Sequence, residues 1–397
     1  KIRADRGLVD GEELKEEIMK LENCSKRLFV LLLAAILFPG GIYAEGDPDK
    51  DASIGALGAA PVQLDNKQSA EKIALGKMLF FDPRLGGDAS IACSDCHSPK
   101  EGWSFAAPLS RGYPATIHWR SSQTIINSAY YNKLFWAGSS SSLEAQAKTA
   151  ATGGVAGNGE ADVMEARLAF IPEYRERFRK IFGDEWPLIG NAWKAISAFE
   201  RTLVQRDTPF DRYMQGDEEA MDEAQKRGME LFQGKANCVE CHNGALFSDQ
   251  KYYNLGVPRH EGWLDDGLKQ ITFRFELYAK GVSENEYRNL KDDPGLYFRT
   301  KQKRDKGKFR TPSLRYTLYT APYMHNGTFF TLEEVIDFYD EGGGVNEFAA
   351  NKSKILKPLG LTDEEKEDLL LFLESLSGDE ILMDPPKLPK YEPLAMD

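Results

Sequence analysis

The chain has 397 residues, 42% hydrophobic and 28% charged, with a formal net charge of −12 at neutral pH. That length accommodates two domains with cores of their own, and the composition is that of an ordinary globular protein. The acidic balance argues against nucleic acid as a partner and allows a basic redox protein or protein substrate.

From Met19 the sequence carries basic residues (Lys20, Lys26, Arg27), an apolar run of eleven residues at Leu28–Phe38, and a cleavage site at Ile42-Tyr43-Ala44. This is the pattern of a secretory signal, too short to span a bilayer stably. A buried core helix fits poorly with the basic flank and with Pro39-Gly40-Gly41 after the run; an uncleaved anchor is the other alternative. Residues 1–18 read as an upstream extension that is not native, 19–44 as the signal peptide, and 45–68 as a flexible leader without periodicity.

Order is expected from Ser69. Ala70–Phe80 spaces Ile73, Leu75, Met78 and Leu79 at helical intervals, and Asp82-Pro83 ends the helix. Helices are also predicted at Thr124–Tyr131, Ser142–Ala151, Asp162–Leu168 and Pro172–Phe182, the last with Pro172 in its first turn. Leu188–Gln205 has a 3.6-residue apolar period through Ile189, Trp193, Ile196, Phe199 and Leu203. The charged stretch 207–222 marks a domain boundary. Helices follow at Ala224–Phe232, Leu332–Tyr339 and Asp363–Ser375, the last with a Thr362/Glu365 capping box. Residues 258–308 are the least readable part, with charge runs such as Lys301–Lys308 that read as solvated loops. No segment alternates as a sheet core would.

Two pentapeptides carry the chemistry: Cys93-Ser94-Asp95-Cys96-His97 and Cys238-Val239-Glu240-Cys241-His242. C-x-x-C-H is the attachment motif of c-type haem, in which two thiols bind the porphyrin and the histidine takes the iron. A C-x-x-C redox pair would explain neither histidine, and a zinc site would require all four thiols to converge. Only Cys24, in the signal, lies outside the motifs, so no cysteines remain for structural disulfides. Two covalently bound haems and export to the periplasm are the expectation. The predicted fold is mostly α, with two cytochrome c-like domains, 69–215 and 216–385, each wrapped around one haem, and a tail at 386–397.

The chain resembles the bacterial di-haem cytochrome c peroxidase / MauG family. The likeness runs from about Leu75 to Ser377 and rests on LGKMLFFDPRLGGDASIACSDCH (75–97), FWAGSSSSLEAQA (135–147), GMELFQGKANCVECHNGALFSD (228–249), FRTPSLR (309–315) and APYMHNGTFFTLEEVIDFY (321–339). The resemblance implies that the N-terminal haem reacts with hydrogen peroxide and the C-terminal haem handles electrons. Plain peroxidases place a methionine on the second iron, and MauG-like members a tyrosine. The discriminating position, fourteen residues beyond His325, is Tyr339. A phenolate lowers the potential and stabilises oxidised iron, where a thioether favours the reduced form. Met324 is the poorer alternative ligand.

Reductively activated members block the first haem with a loop histidine. Its register falls near Tyr113, and the next histidine, His118, reads as structural. The first iron, bound through His97, is therefore expected to be open and five-coordinate. By the same resemblance Trp136 relays electrons between the haems, and Gln146 with a glutamate moves protons during peroxide cleavage. The family offset for that glutamate falls at Ala156, so Glu160, in Asn158-Gly159-Glu160, is the candidate. An inter-haem calcium would take the Thr320 and Pro322 carbonyls, with Ser121 where the family has asparagine, a weaker donor for a hard cation.

The leading expectation is a periplasmic oxidase/peroxidase of MauG type that oxidises a partner protein at tryptophan residues. The alternatives are a peroxide-detoxifying peroxidase fed by a small cytochrome or cupredoxin, and a di-haem electron carrier or redox sensor without turnover. No stable membrane span is expected after signal cleavage, and the chain would be a monomer or homodimer.

Overall fold

The computed structural model describes residues 53–113 and 116–392. The upstream extension, the signal and the first part of the leader lie outside the described residues. The rest is mostly α-helical, with long loops and two antiparallel two-residue strand pairs. No described helix is long and apolar enough to cross a membrane.

In the first half, α1 (Ala70–Phe80) starts where the Ser69 side chain accepts from Lys72 N. The short strands β1 (Arg111–Gly112) and β2 (Thr116–Ile117) pair beyond the first C-x-x-C-H motif. The next helices are α2 (Leu143–Thr152), α3 (Ala161–Ala169), α4 (Pro172–Phe182) and α5 (Ile189–Glu200). Helix α5 crosses α1 so closely that a Cβ at Gly76 would lie 1.9 Å from the Ala195 carbonyl oxygen. Only glycine allows that approach.

The second half repeats the device. After α6 (Pro209–Met214), α7 (Glu223–Gln233) leads into the second motif, and β3 (Tyr252–Tyr253) pairs with β4 (Phe309–Arg310). Between these strands run α8 (Gly267–Ala279), α9 (Glu284–Asn289) and α10 (Tyr297–Thr300), and α11 (Leu332–Asp340) and α12 (Asp363–Ser375) close the chain. Here α12 crosses α7, and a Cβ at Gly228 would lie 1.9 Å from the Asp368 carbonyl oxygen.

Each crossing is filled by a triangle of buried aromatic rings. Phe80, Trp103 and Phe199 lie 5.4–6.0 Å apart in the first half. Phe232, Phe247 and Phe372 lie 5.2–6.2 Å apart in the second. All six are almost wholly buried, and such pairs contribute about 0.5–1.5 kcal/mol each beyond their area. A third cluster gathers Trp119, Trp263, Phe273, Leu277 and Tyr297 around α8.

The two chain ends exchange halves. Ile54, in the stretch expected to be a flexible leader, packs into the second cluster, and Leu57 N donates to Asp211 Oδ1 at 2.9 Å. Ile381, Met383 and Leu388, beyond α12, pack on the first cluster, and Trp103 Nε1 donates to the Ile381 carbonyl at 2.6 Å.

Two local predictions are corrected. Thr124–Tyr131 is not an α-helix; only Ser128–Tyr130 forms a 3₁₀ turn. Asn127 adopts a left-handed conformation, and its side chain pairs with the backbone of Gln205, a tertiary partnership that overrides the apolar spacing. Residues 258–308 are not simply loop, since they hold α8, α9 and α10.

Candidate active site

The two motifs fold alike. Each opens with a 3₁₀ turn, Cys93–Asp95 or Cys238–Glu240, after which the histidine N–H bonds to the first cysteine carbonyl at 3.0 Å (His97) or 2.9 Å (His242). In the first, the Asp95 carboxylate accepts from Ala92 N at 2.7 Å and fixes the turn. Both imidazoles turn Nδ1 toward a main-chain carbonyl, His97 to Trp103 at 3.4 Å and His242 to Phe247 at 3.0 Å. Trp103 and Phe247 hold those carbonyls from left-handed backbone positions. With Nδ1 so oriented, Nε2 is the nitrogen free to bind a metal. Burial pushes both imidazoles down, His97 to about 4, so both stand neutral at pH 7 as ligands must. The four motif thiols are unpaired with one another.

Both motifs open onto one continuous cavity of about 1090 Å³, above the usual ~300–1,000 Å³ of a single-ligand pocket. Its walls fit two porphyrins. Cys93, Cys96 and His97 line one part, Cys238, Cys241 and His242 another, and the lining is predominantly apolar. Three buried polar atoms along it have no partner among the described residues: Trp119 Nε1, Ser128 Oγ and Glu200 Oε2. Arg310 also lines it, is 2% exposed, stacks over Tyr131 at 3.9 Å and bonds only neutral oxygens. A buried guanidinium without a carboxylate suits an acidic group carried by a ligand.

Tyr339, on α11, lines the same cavity. Burial, together with the Cys238 and Cys241 thiols, pushes its phenol well up. Met324 lines the cavity as well. Trp136 lies on the cavity wall and is pinned at both ends: its Nε1 donates to the Ser121 carbonyl at 2.9 Å, and its own carbonyl accepts from Arg310 N at 2.9 Å. His325 meets the Trp136 ring edge-on at 6.4 Å and stacks on Phe309 at 3.7 Å.

On the first motif's side, Gln146 lines the cavity from α2, and Ala156 lines it from the loop that follows. Glu160, ahead of α3, is exposed and is not among the lining residues. Two acids do line the cavity, and periodicity alone had not singled them out. Glu200, at the end of α5, is 4% exposed, and burial pushes its carboxyl up to about 8. Its signal in the sequence was a charge four residues beyond Ile196, on the apolar face. Glu276, on α8, has its carboxyl pushed up by burial, which outweighs nearby Lys280 and Arg120.

His118 stacks on Trp119 at 3.9 Å, accepts from Arg120 N through Nδ1, and is held neutral, at about 3, by burial and Arg120. Tyr113 lies outside the lining, its N–H bonded to the Val155 carbonyl. Ser121, Thr320 and Pro322 share the cavity wall. They offer neutral oxygens only, and no group of three or more His, Cys, Asp or Glu among the described residues could hold a cation.

Comparison with known proteins agrees with this geometry. The family model of the di-haem cytochrome c peroxidases matches residues 70–219. The cytochrome-c peroxidase IdrP1 of Pseudomonas sp. (strain SCT) is 55% identical over 94% of this chain and 98% of its own length. The methylamine utilization protein MauG of Methylorubrum extorquens is 33% identical over 91% of this chain and 98% of its own. A crystal structure of a MauG-like protein associated with microbial copper homeostasis superposes with a TM-score of 0.69 at 31% identity, covering 83% of this chain and 96% of that one. The chain belongs to the di-haem cytochrome c peroxidase / MauG family and is a di-haem oxidoreductase.

Proposed function

We propose that the protein is a periplasmic, tyrosine-ligated di-haem oxidase of MauG type, which uses hydrogen peroxide to oxidise tryptophan residues of a partner protein. The observation that carries this reading is Tyr339 on the wall of the cavity that His242 also lines.

In this reading Cys93 and Cys96 tether the first haem and His97 holds its iron; Cys238 and Cys241 tether the second, with His242 and Tyr339 on its iron. When bound, the haems supply two-electron reduction of peroxide and storage of the oxidising equivalents. The protein's part is positional and protonic. Neutral His97, with Nδ1 on the Trp103 carbonyl, leaves Nε2 as the nitrogen that would bind the first iron. Gln146 orients peroxide by hydrogen bonding, and a carboxyl moves its proton from one oxygen to the other. Glu160 takes that role if the loop 153–159 carries it inward. Glu276, which lines the cavity with a raised carboxyl, is the second candidate. Trp136, fixed between Ser121 and Arg310, passes an electron between the halves. Ser121 and the Thr320 and Pro322 carbonyls, which share the cavity wall, would hold a calcium ion.

A second reading is favoured by the name of the 55% identical relative, a cytochrome-c peroxidase: the same site detoxifies peroxide with electrons from a small cytochrome or cupredoxin. The resting EPR spectrum tests the shared chemistry. One high-spin and one low-spin ferric signal are expected, and two low-spin signals would refute the open first site. Rapid peroxide-dependent turnover of reduced cytochrome c, without tryptophan modification in any co-secreted protein, would select the second reading.

A further inference from the structure

The glycine crossings set the two halves in register. A Cβ at Gly76 would meet the Ala195 carbonyl oxygen at 1.9 Å and Phe199 Cβ at 3.0 Å. A Cβ at Gly228 would meet the Asp368 carbonyl oxygen at 1.9 Å and Phe372 Cβ at 2.8 Å. Ala195 on α5 therefore corresponds to Asp368 on α12, and Phe199 to Phe372. One residue further along, Glu200 corresponds to Leu373. Both are buried, 4% and 8% exposed, and both line the haem cavity. The second half makes its crossing with a leucine at this place, so the packing has no need of a carboxyl there. Glu200 Oε2 has no hydrogen-bond partner among the described residues. Burying such a group is unfavourable where leucine would serve, which marks Glu200 as a residue kept for its chemistry.

The surroundings leave this carboxyl its proton. Burial pushes it up to about 8. Its charged neighbours are Arg201 on the same helix and Glu144 on α2, which pair with each other at 2.7 Å and act on it with opposite sign. Neither α1 nor α3, which also pack on α5, sets a charged side chain against it among the described residues. In the first motif, burial and then the Glu200 carboxylate push the Cys93 thiol up. Charge on Glu200 therefore acts on a sulfur of the haem-attachment motif. A negative charge there favours oxidised iron and lowers its potential, and a neutral carboxyl does not.

We propose that Glu200 couples proton uptake to electron uptake at the first haem. As a donor gives one electron to that iron, the Glu200 carboxylate takes one proton from water; when the electron leaves, the proton returns. Leu373 offers the second haem no carboxyl at this place, so the halves differ in proton coupling as well as in ligands. This role rests on haem attachment at the first motif and holds whichever substrate the protein oxidises.

Spectroelectrochemical titration of the haem-loaded chain across about pH 6 to 10 tests the role. The first haem's midpoint should fall as pH rises, by at most about 59 mV for each tenfold change in proton activity, the limit of one proton per electron. Glu200→Gln and Glu200→Leu, the latter grafting the other half's residue, should each flatten that slope and leave the second haem's profile unchanged. Redox-difference infrared spectra should show a protonated-carboxyl band in the wild type that is missing from Glu200→Gln. A pH-independent first midpoint in the wild type, a slope that persists in Glu200→Gln, or equal changes at both haems would each overturn the proposal. The persisting slope would assign the proton to another group, such as a porphyrin propionate. The pyridine haemochrome spectrum counts the attached haems separately, and fewer than two in the wild type would sink the attachment reading itself and this role with it.

Discussion

The two halves are built on one plan and differ where chemistry needs them to differ. Each has a glycine at a helix crossing, Gly76 or Gly228, an aromatic triangle beneath it, and a histidine whose Nδ1 is fixed by the carbonyl of one triangle member, Trp103 or Phe247. The contrast lies in what else faces each motif. The second motif shares the cavity wall with Tyr339, whose phenol its thiols push up. Glu200, with an unpartnered oxygen, lines the cavity along with Cys93 of the first, as do Gln146 and Glu276. On the proposed reading, the repeated parts would secure a haem and the unrepeated ones would set what each iron does.

The sharpest way to break the comparison is to remove one ligand from each half. His97→Gly should abolish reaction with peroxide in stopped-flow measurements. Tyr339→Met should leave the first reaction in place but raise the second haem's midpoint potential in a redox titration, since a thioether favours reduced iron. Equal loss of the peroxide reaction in both variants would remove the asymmetry.

The proton-transfer candidates come next. Glu160→Gln or Glu276→Gln, whichever removes the working carboxyl, should slow peroxide reduction by about 10²–10⁴-fold, while the other leaves the rate unchanged.

Buried charge separates the halves further. In the second, Arg315 and Asp211 pair at 2.8 Å with side chains about 1% exposed. Burial pushes the Asp211 carboxyl up, but Arg315 more than offsets this and holds it below the usual carboxylate range. The pair's stability is thus present above the unfolded carboxylate's pKa and lost as pH falls through the folded value. Arg315→Ala should cost about 3–5 kcal/mol in denaturant unfolding at pH 7, and less in acid.

Glu200 has the opposite sign. Its raised carboxyl keeps a proton in the folded state that the unfolded state gives up, so its destabilising effect grows from the unfolded pKa toward about pH 8. Glu200→Gln should therefore raise Tm more at pH 8 than at pH 5. A pH-independent change would show that its carboxyl is not buried neutral.

Much of this plan was legible in the sequence. The helices at Ala70–Phe80, Pro172–Phe182 and Asp363–Ser375 have clear caps or periods, and the motifs with Tyr339 stand at fixed spacings. Helix α8 was not legible because Leu268 and Ile271 face out while Phe273 and Leu277 face in, so its apolar residues do not define one stripe. Ile54 was lost in a Gly- and Ala-rich stretch, since burial of one residue on a distant partner leaves no local period. The outward position of Glu160 depends on how the loop 153–159 folds, which short-range pattern does not encode.

The exchanged chain ends tie each half to residues from the far end of the sequence. Trp103, whose carbonyl holds His97, completes its own bonding only when Nε1 reaches Ile381, near the C-terminus. A chain exported from its N-terminus would thus pass through a stage in which the first motif is outside the membrane but the core beneath it lacks its last strap. On the proposed reading, that interval would leave Cys93 and Cys96 accessible to whatever attaches the haem, and arrival of residues 381–388 would end it. A chain truncated after Ser375 should load its second haem and hold the first one loosely.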